Sequence, residues 1–490
     1  EQVRARLFQG NTSPAFPATG YTRAPDDLGK IFSDRYTIVA HRANDATGFS
    51  ATLLQWTNDQ NGVEYTLSIR STEYKNANQG GDWIRDGLPG AVGEVVGNGF
   101  ALGQLAALED FYQRQVLPLT GAAKLNVTGY SLGGHLATVF TETHAERVKA
   151  AYVFNSAGRG VVLGAGGTTP ERMSAMIDHF RAVLTSEPSA SALAVVSPND
   201  PRRPVYQGLY QVALRAYLSD PTWNPFATTD ARIYADPRYR WALVETSELA
   251  GFGTKSVAIG RAGLGTAGDA LITSIYGSAL NADTTLTANS QVHPSNKNAV
   301  FIEEQPFLEL ALSSQQRSDF GNTHAITLLA DSLALQREFQ RFDATLTRGQ
   351  IESVINASSA KKAKVLAVLG DGQAAEGDSL EKTLLALRRA FDANAVEVLS
   401  DATPGGFGNM ANRQSYYEQL ALLPQQGTFN IELLTGKTPS QVVALAKRND
   451  DTGLAVRYAL LQLEPFAVVG GDYSSTRFPD GKLQLRGGAN

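Results

Sequence analysis

The chain has 490 residues, 43% of them hydrophobic and 19% charged, with a formal net charge of −5 and no cysteine. That length suits two to four domains, or one large domain with insertions, and the apolar fraction is ample for a buried core. The absence of a basic run argues against nucleic acid as a partner, and the absence of thiols excludes disulfides, thiol catalysis and a cysteine-based metal site.

No stretch approaches the length of a membrane-spanning helix. The N-terminal EQVRARLFQG lacks the apolar centre of a signal peptide and has no starting Met, as in a processed chain. Zero cysteine with an acidic balance fits an exported bacterial enzyme and fits a cytoplasmic one equally.

Residues 1–35 are rich in Gly, Pro, Thr and Asp and read as an irregular lead-in. Tyr36–His41 reads as a strand. Ser50–Trp56 and Val63–Ile69 read as a strand pair joined by Asn58-Asp59-Gln60-Asn61-Gly62, a turn sequence without the acidic spacing of a calcium loop. Phe100–Gln115 carries apolar residues at helical spacing. Leu125 and Val127 mark a short strand, and Leu136, Ala137, Val139 and Phe140 mark a helix soon after it. Between them stands Gly129-Tyr130-Ser131-Leu132-Gly133, followed by Gly134.

Strand, tight turn and helix form the context that Gly-x-Ser-x-Gly needs to act as a nucleophile turn. The turn lifts the Ser131 hydroxyl out of the sheet. Side chains at Gly129 and Gly133 would strike neighbouring backbone. The helix that follows aims its N-terminal N–H groups at a developing oxyanion, and the Leu132 N–H is one such donor.

Val148–Phe154 reads as a buried strand ending in Asn155-Ser156-Ala157-Gly158, and Glu171–Thr185 reads as a helix. Ala192–Ser197 reads as the next strand, running into Pro198-Asn199-Asp200-Pro201. Strand, helix, strand alternation predicts a mostly parallel sheet covered on both faces. Residues 201–300 mix Tyr, Trp, Pro and Gly and offer a place for a lid or substrate-binding cap. Tyr206, Tyr210, Tyr217 and Trp223 read as core there, with an acyl-site lining as the other reading. Asp319–His324 precedes a helix running to about Arg341.

Beyond residue 345 the pattern becomes mostly helical. Gln350–Ala357, Ser379–Ala393 and Asp451–Leu463 read as helices, and Thr438-Pro439-Ser440-Gln441 as a capped helix start. Phe466–Val469 and Lys482–Leu485 read as strands that could pair around Pro479-Asp480-Gly481. There is no internal repeat, and the Gly- and Asp-rich calcium-binding nonapeptides are absent.

The turn around Ser131 resembles the Gly-His-Ser-Leu-Gly-Gly stretch of the class 3 (fungal-type) lipases, an α/β-hydrolase family, with Tyr130 in place of His. Two further stretches carry the resemblance. Ile69-Arg70-Ser71-Thr72, followed by Asp82-Trp83-Ile84-Arg85-Asp86, is similar to the family's Phe-Arg-Gly-Thr/Ser and Asn/Asp-Trp-x-x-Asp, with Ser71 where Gly is usual. Asn199-Asp200 is similar to its Asn-Asp-x-Val-Pro loop, with Arg202-Arg203 departing from the usual apolar residues. The resemblance implies Ser131 as nucleophile, Thr72 as an oxyanion-hole donor and Asp200 as the acid, with Asp178 and Asp230 as alternatives.

A triad also needs one imidazole to take the serine proton and return it to the leaving group. The six histidines are His41, His135, His144, His179, His293 and His324. His324 follows Ser131 and Asp200 in the order that α/β-hydrolases use, and His293 is its rival.

The expectation is therefore an α/β-hydrolase domain over 1–345, with a cap-like insertion near 201–300, and a mostly helical domain over 346–490. It would cleave carboxylic esters of lipids, free or at a lipid–water interface, through an acyl-enzyme and with neither cofactor nor metal. Alternatives are a phospholipase A1, a thioesterase or a polyester esterase with the same triad, or a non-catalytic interaction protein on this fold. The layout is similar to the hydrolase part of large secreted bacterial calcium-repeat proteins, which points to export.

Overall fold

The computed structural model describes residues 26–44, 47–57, 62–72, 91–185, 254–255, 267–278, 297–301, 326–359, 383, 386–391, 428–462 and 464–473. They fall into two compact units. One lies within Asp34–Tyr276 and Thr285–Ala299, the other within Glu1–Ser33, Gly277–Thr284 and Val300–Asn490.

Helix α1 (Asp26–Arg35) leads into β1 (Tyr36–Arg42), β2 (Ala51–Thr57) and β3 (Val63–Ile69). These three strands form an antiparallel ladder, with Ala51 opposite Ile69 and Trp56 opposite Tyr36. Strands β2 and β3 pair directly along their length, while Asn58–Asn61 of the expected turn lie outside the described residues. Helices α2 (Ala91–Asn98), α3 (Leu102–Phe111) and α4 (Leu117–Thr120) then cross to β4 (Leu125–Tyr130), and α5 (Leu132–Thr143) crosses to β5 (Val148–Phe154). Strand β6 (Val161–Val162), helix α6 (Pro170–Thr185), strand β7 (Thr254–Lys255) and helix α7 (Ala267–Leu271) precede β8 (Ile272–Ser278) and β9 (Lys297–Phe301).

The seven-stranded sheet has the order β1-β2-β3-β4-β5-β8-β9. Strands β3, β4, β5 and β8 run parallel. This is an α/β fold. Strand β5 pairs with β8, which the sequence reading did not anticipate; the expected strand Ala192–Ser197 lies outside the described residues.

Of the two covered faces expected for the sheet, the described residues show the covering of one. Along β4, Leu125, Val127 and Gly129 are buried while Asn126, Thr128 and Tyr130 stay partly exposed. Leu53, Leu67, Val127, Ala151 and Val153 share one core with residues of α3, α5 and α6. Among the described residues, the joining helices cover that one face. The reason is directional: β3, β4, β5 and β8 succeed one another in a single direction across the sheet. Right-handed crossovers that all step the same way place every helix on the same side.

A correction concerns Phe100–Gln115, expected as one helix. The α-helix gives way to a π-turn over Tyr112–Val116, where the Leu117 N–H reaches back five residues to the Tyr112 carbonyl. Pro118 supplies the cause. It has no N–H, and its ring would press on the carbonyl four residues earlier, so the turn widens ahead of it.

The second unit has its own core, with Phe339 and Phe466 fully buried and their rings 5.1 Å apart. Its elements are α8 (Ile326–Phe342), α9 (Arg348–Ser359), β10 (Asn430–Leu433), α10 (Pro439–Ala446), α11 (Asp451–Gln462) and β11 (Phe466–Val469). Strand β11 pairs antiparallel with β10, and its expected partner Lys482–Leu485 lies outside the described residues. The Thr438 capping box is present, with the Thr438 N–H on Gln441 Oε1 and the Gln441 N–H on the Thr438 hydroxyl. Of the expected helix 379–393, only Thr383 and Ala386–Phe391 are described. No helix among the described residues is long and apolar enough to cross a membrane.

Candidate active site

Ser131 sits between the end of β4 and the first turn of α5, with φ 54° and ψ −115°. A side chain at positive φ costs about 1–3 kcal/mol, so the conformation persists only where the surroundings impose it. Here they do. The Ser131 N–H donates to the Phe154 carbonyl at 2.9 Å, and the Ser131 carbonyl accepts from the N–H of His135 at 3.0 Å and of Ala157 at 3.4 Å.

The three glycines of the turn are required by close approach. A Cβ on Gly129 would lie 2.2 Å from the Gly133 carbonyl oxygen. One on Gly133 would lie 2.5 Å from the carbonyl oxygen of Ile69, at the end of the neighbouring strand. One on Gly134 would lie 2.8 Å from the Ser156 Cβ.

The loop after β5 closes against this turn. Asn155, at φ 43°, donates its N–H to the Ile275 carbonyl at 2.8 Å. The Gly158 N–H donates to the Ser156 hydroxyl at 3.1 Å, and the Gly160 N–H to the Gly99 carbonyl at 2.7 Å. Behind the loop lies a fully buried ion pair in which Arg159 Nε donates to Glu142 Oε2 at 2.5 Å while Nη1 donates to the Gly160 carbonyl at 2.8 Å. Burying two charges is tolerable only when they pair and the remaining donors are used, as they are here.

On the other side, Ile69 pairs with Gly129, so the chain beyond β3 continues beside the nucleophile turn. Arg70 anchors this strand end, with Nη2 on Asn44 Oδ1 at 2.8 Å and on the Gly48 carbonyl at 3.1 Å. The next two hydroxyls, of Ser71 and Thr72, are sealed from solvent and make no hydrogen bond among the described residues. Buried hydroxyls are almost always paired in folded proteins, so these two adjacent exceptions are unusual. The buried Leu132 occupies the first position of α5, where helix geometry leaves an N–H without a carbonyl four residues back.

The histidines divide sharply. His135 is buried in the interior. The Ala101 N–H donates to its Nε2 at 3.1 Å, so Nδ1 carries the proton and donates to the Gly158 carbonyl. Burial pushes its pKa down to about 4, with the Arg159 charge acting in the same direction and the Gly158 hydrogen bond opposing. His144 caps the end of α5 and meets Glu109 at 2.8 Å. Burial alone would raise the Glu109 carboxyl, but the His144 hydrogen bond and charge, with help from Gln113 and Arg181, hold it below its usual range. His41 is an exposed strand residue whose Nδ1 meets the Thr52 hydroxyl at 2.9 Å. His179 falls on α6.

The structure thus gathers Ser131 and Leu132 in one turn, with Thr72 three residues beyond Ile69, the end of the strand that pairs with Gly129. Asp200, His324 and their rivals His293 and Asp230 lie outside the described residues. Asp178 is exposed on α6 and pairs with Arg181 at 3.2 Å. No group of residues among those described could hold a metal ion. Sequence reasoning missed the Glu142–Arg159 pair and the partners of His135. Only the Asn155–Gly158 loop gave a signal, and that signal says nothing of side chains reaching it from elsewhere.

No known protein family and no curated protein sequence matches this chain. Solved structures similar to it include a hydrolase from Pseudomonas aeruginosa PA01, at 14% identity over 54% of this chain and 89% of that one, with a TM-score of 0.18. Another is a membrane phospholipase A described as a bacterial virulence factor, at 13% identity over 56% of this chain and 82% of that one, with a TM-score of 0.19. Likenesses that distant fix no chemistry.

Proposed function

We propose that this chain is a serine hydrolase that cleaves carboxylic esters of lipids, with Ser131 as nucleophile, His324 as base and Asp200 as acid. One observation carries the reading: Ser131 is a non-glycine residue held at φ 54° between a parallel strand and a helix, amid three glycines with no room for a side chain. An ordinary turn serine needs neither the strain nor the glycines.

In the proposed cycle His324 takes the Ser131 proton as the oxygen attacks the ester carbonyl. The tetrahedral oxyanion is held by the Leu132 N–H and by Thr72, whose hydroxyl has no other partner among the described residues. Collapse expels the alcohol, which receives the proton from His324 and leaves the acyl group on Ser131. Asp200 orients the imidazole throughout. Water, deprotonated by His324, then attacks the acyl-enzyme; as the bond to the Ser131 oxygen breaks, His324 returns the proton to Ser131 and the acid leaves.

The test is hydrolysis of p-nitrophenyl esters of graded chain length, and of emulsified lipid, by wild type, Ser131→Ala, His324→Ala and His293→Ala. Expected is a loss of about four orders of magnitude or more in kcat for the first two variants, with His293→Ala active. An active Ser131→Ala overturns the nucleophile. An inactive His293→Ala beside an active His324→Ala moves the base. No turnover of any ester by folded wild type would leave a non-catalytic protein.

A further inference from the structure

We infer that His135 is a positioning residue for Ser131: its imidazole ties the loop after β5 to the segment before α3 and so holds the nucleophile turn in its strained conformation. The inference rests on Ser131 being the nucleophile.

His135 lies one turn after Ser131 on α5, fully buried, and its ring meets that of Phe100 edge-on at 6.4 Å. Both ring nitrogens are used, each toward a different piece of chain. Nε2 accepts from the Ala101 N–H, and Nδ1 donates to the Gly158 carbonyl. Gly158 belongs to the loop that touches the nucleophile turn directly. Ala157, its neighbour, donates to the Ser131 carbonyl, and Ser156 packs where a side chain on Gly134 would go.

The same two segments are tied a second time by the Gly160 N–H on the Gly99 carbonyl, beside the Arg159–Glu142 pair. Glu142 stands on the same helix as Ser131 and His135. Helix α5 is therefore bound to the loop at two heights, by a neutral imidazole near the nucleophile and by an ion pair two turns further on. An apolar residue at position 135 would fill the space but leave the Gly158 carbonyl and the Ala101 N–H buried and unpaired. The loop would then move away to find water, and the Ala157 contact with Ser131 would go with it.

The test is the rate at which a fluorophosphonate labels Ser131 in the full-length protein, with kcat and KM measured on a p-nitrophenyl ester. Three variants separate the bonds. His135→Asn keeps a donor where Nδ1 stands, His135→Gln keeps an acceptor where Nε2 stands, and His135→Leu keeps neither. Expected is labelling within about threefold of wild type for Asn, and slowing of roughly tenfold for Gln and a hundredfold for Leu, with kcat falling in step and KM unchanged. KM would move, and the Asn and Gln variants would not separate, if the imidazole merely filled space.

Wild-type labelling rates in folded His135→Leu overturn the inference alone, because Ser131 is then reactive without the clamp. Should His135→Leu fail to fold, the Asn and Gln variants decide: equal rates, or Gln faster than Asn, overturn it. Failure of wild type to label at Ser131 instead overturns the nucleophile, and the inference with it.

Discussion

Ser131 and Asn155 are the two non-glycine residues at positive φ among the described residues, and they follow the carboxyl ends of the neighbouring strands β4 and β5, joined by the Ser131 N–H on the Phe154 carbonyl. Strain gathers there because parallel α/β sheets build their sites at the carboxyl ends of strands. The buried histidine beside them sets a pH dependence. The folded-state pKa of His135, about 4, lies below its ordinary value of 6.5, so the unfolded chain binds the proton first. Its contribution is fully present above pH 6.5, declines as pH falls below that value, and bottoms out below pH 4 at a loss of roughly 3 kcal/mol. The charged neighbours on this face are Arg159 and its partner Glu142. Urea melts at pH 7, 5.5 and 4.5 should show the loss, and His135→Asn should flatten that part of the slope. An unchanged slope in that variant would assign the acid sensitivity to other groups.

Elements with local punctuation were legible. The Thr438 cap, Pro439 at the first helical position and Gln441 at the third specify the start of α10 within four residues, and the structure has both capping bonds. Thr438→Ala is expected to cost about 1 kcal/mol, read from the urea midpoint, while Thr438→Ser should cost much less. The nucleophile turn was legible for the same reason, since its glycines are demanded by atoms within a few residues of it or on the adjoining strand. The π-turn before Pro118 was not foreseen, because apolar spacing reports which face is buried rather than how the backbone carries a proline.

At the scale of the molecule there are two separate cores, one against the sheet and one built around Phe339 and Phe466. All four tryptophans, Trp56, Trp83, Trp223 and Trp241, fall within Asp34–Tyr276, a segment of the unit that holds the sheet. Phe466→Ala removes a fully buried ring and should destabilise its own unit by about 3–5 kcal/mol. Far-ultraviolet circular dichroism should then show an early unfolding phase while the tryptophan midpoint stays in place. A joint shift of both signals would mean that the cores unfold as one.

By itself the sequence determined the strands of the β1–β3 ladder, the glycine-framed turn at Ser131 and most of the described helices that it marks with caps and periodic apolar residues. Each of these is decided by neighbours close along the chain. Tertiary structure alone decided that β8 lies beside β5, that β11 pairs with Asn430–Leu433, that the crossover helices share one face, and that His135, Arg159 and Glu142 converge behind the nucleophile. Those outcomes depend on partners far apart in sequence, whose meeting is set by the direction of chain crossovers and by which buried donors and acceptors must be satisfied.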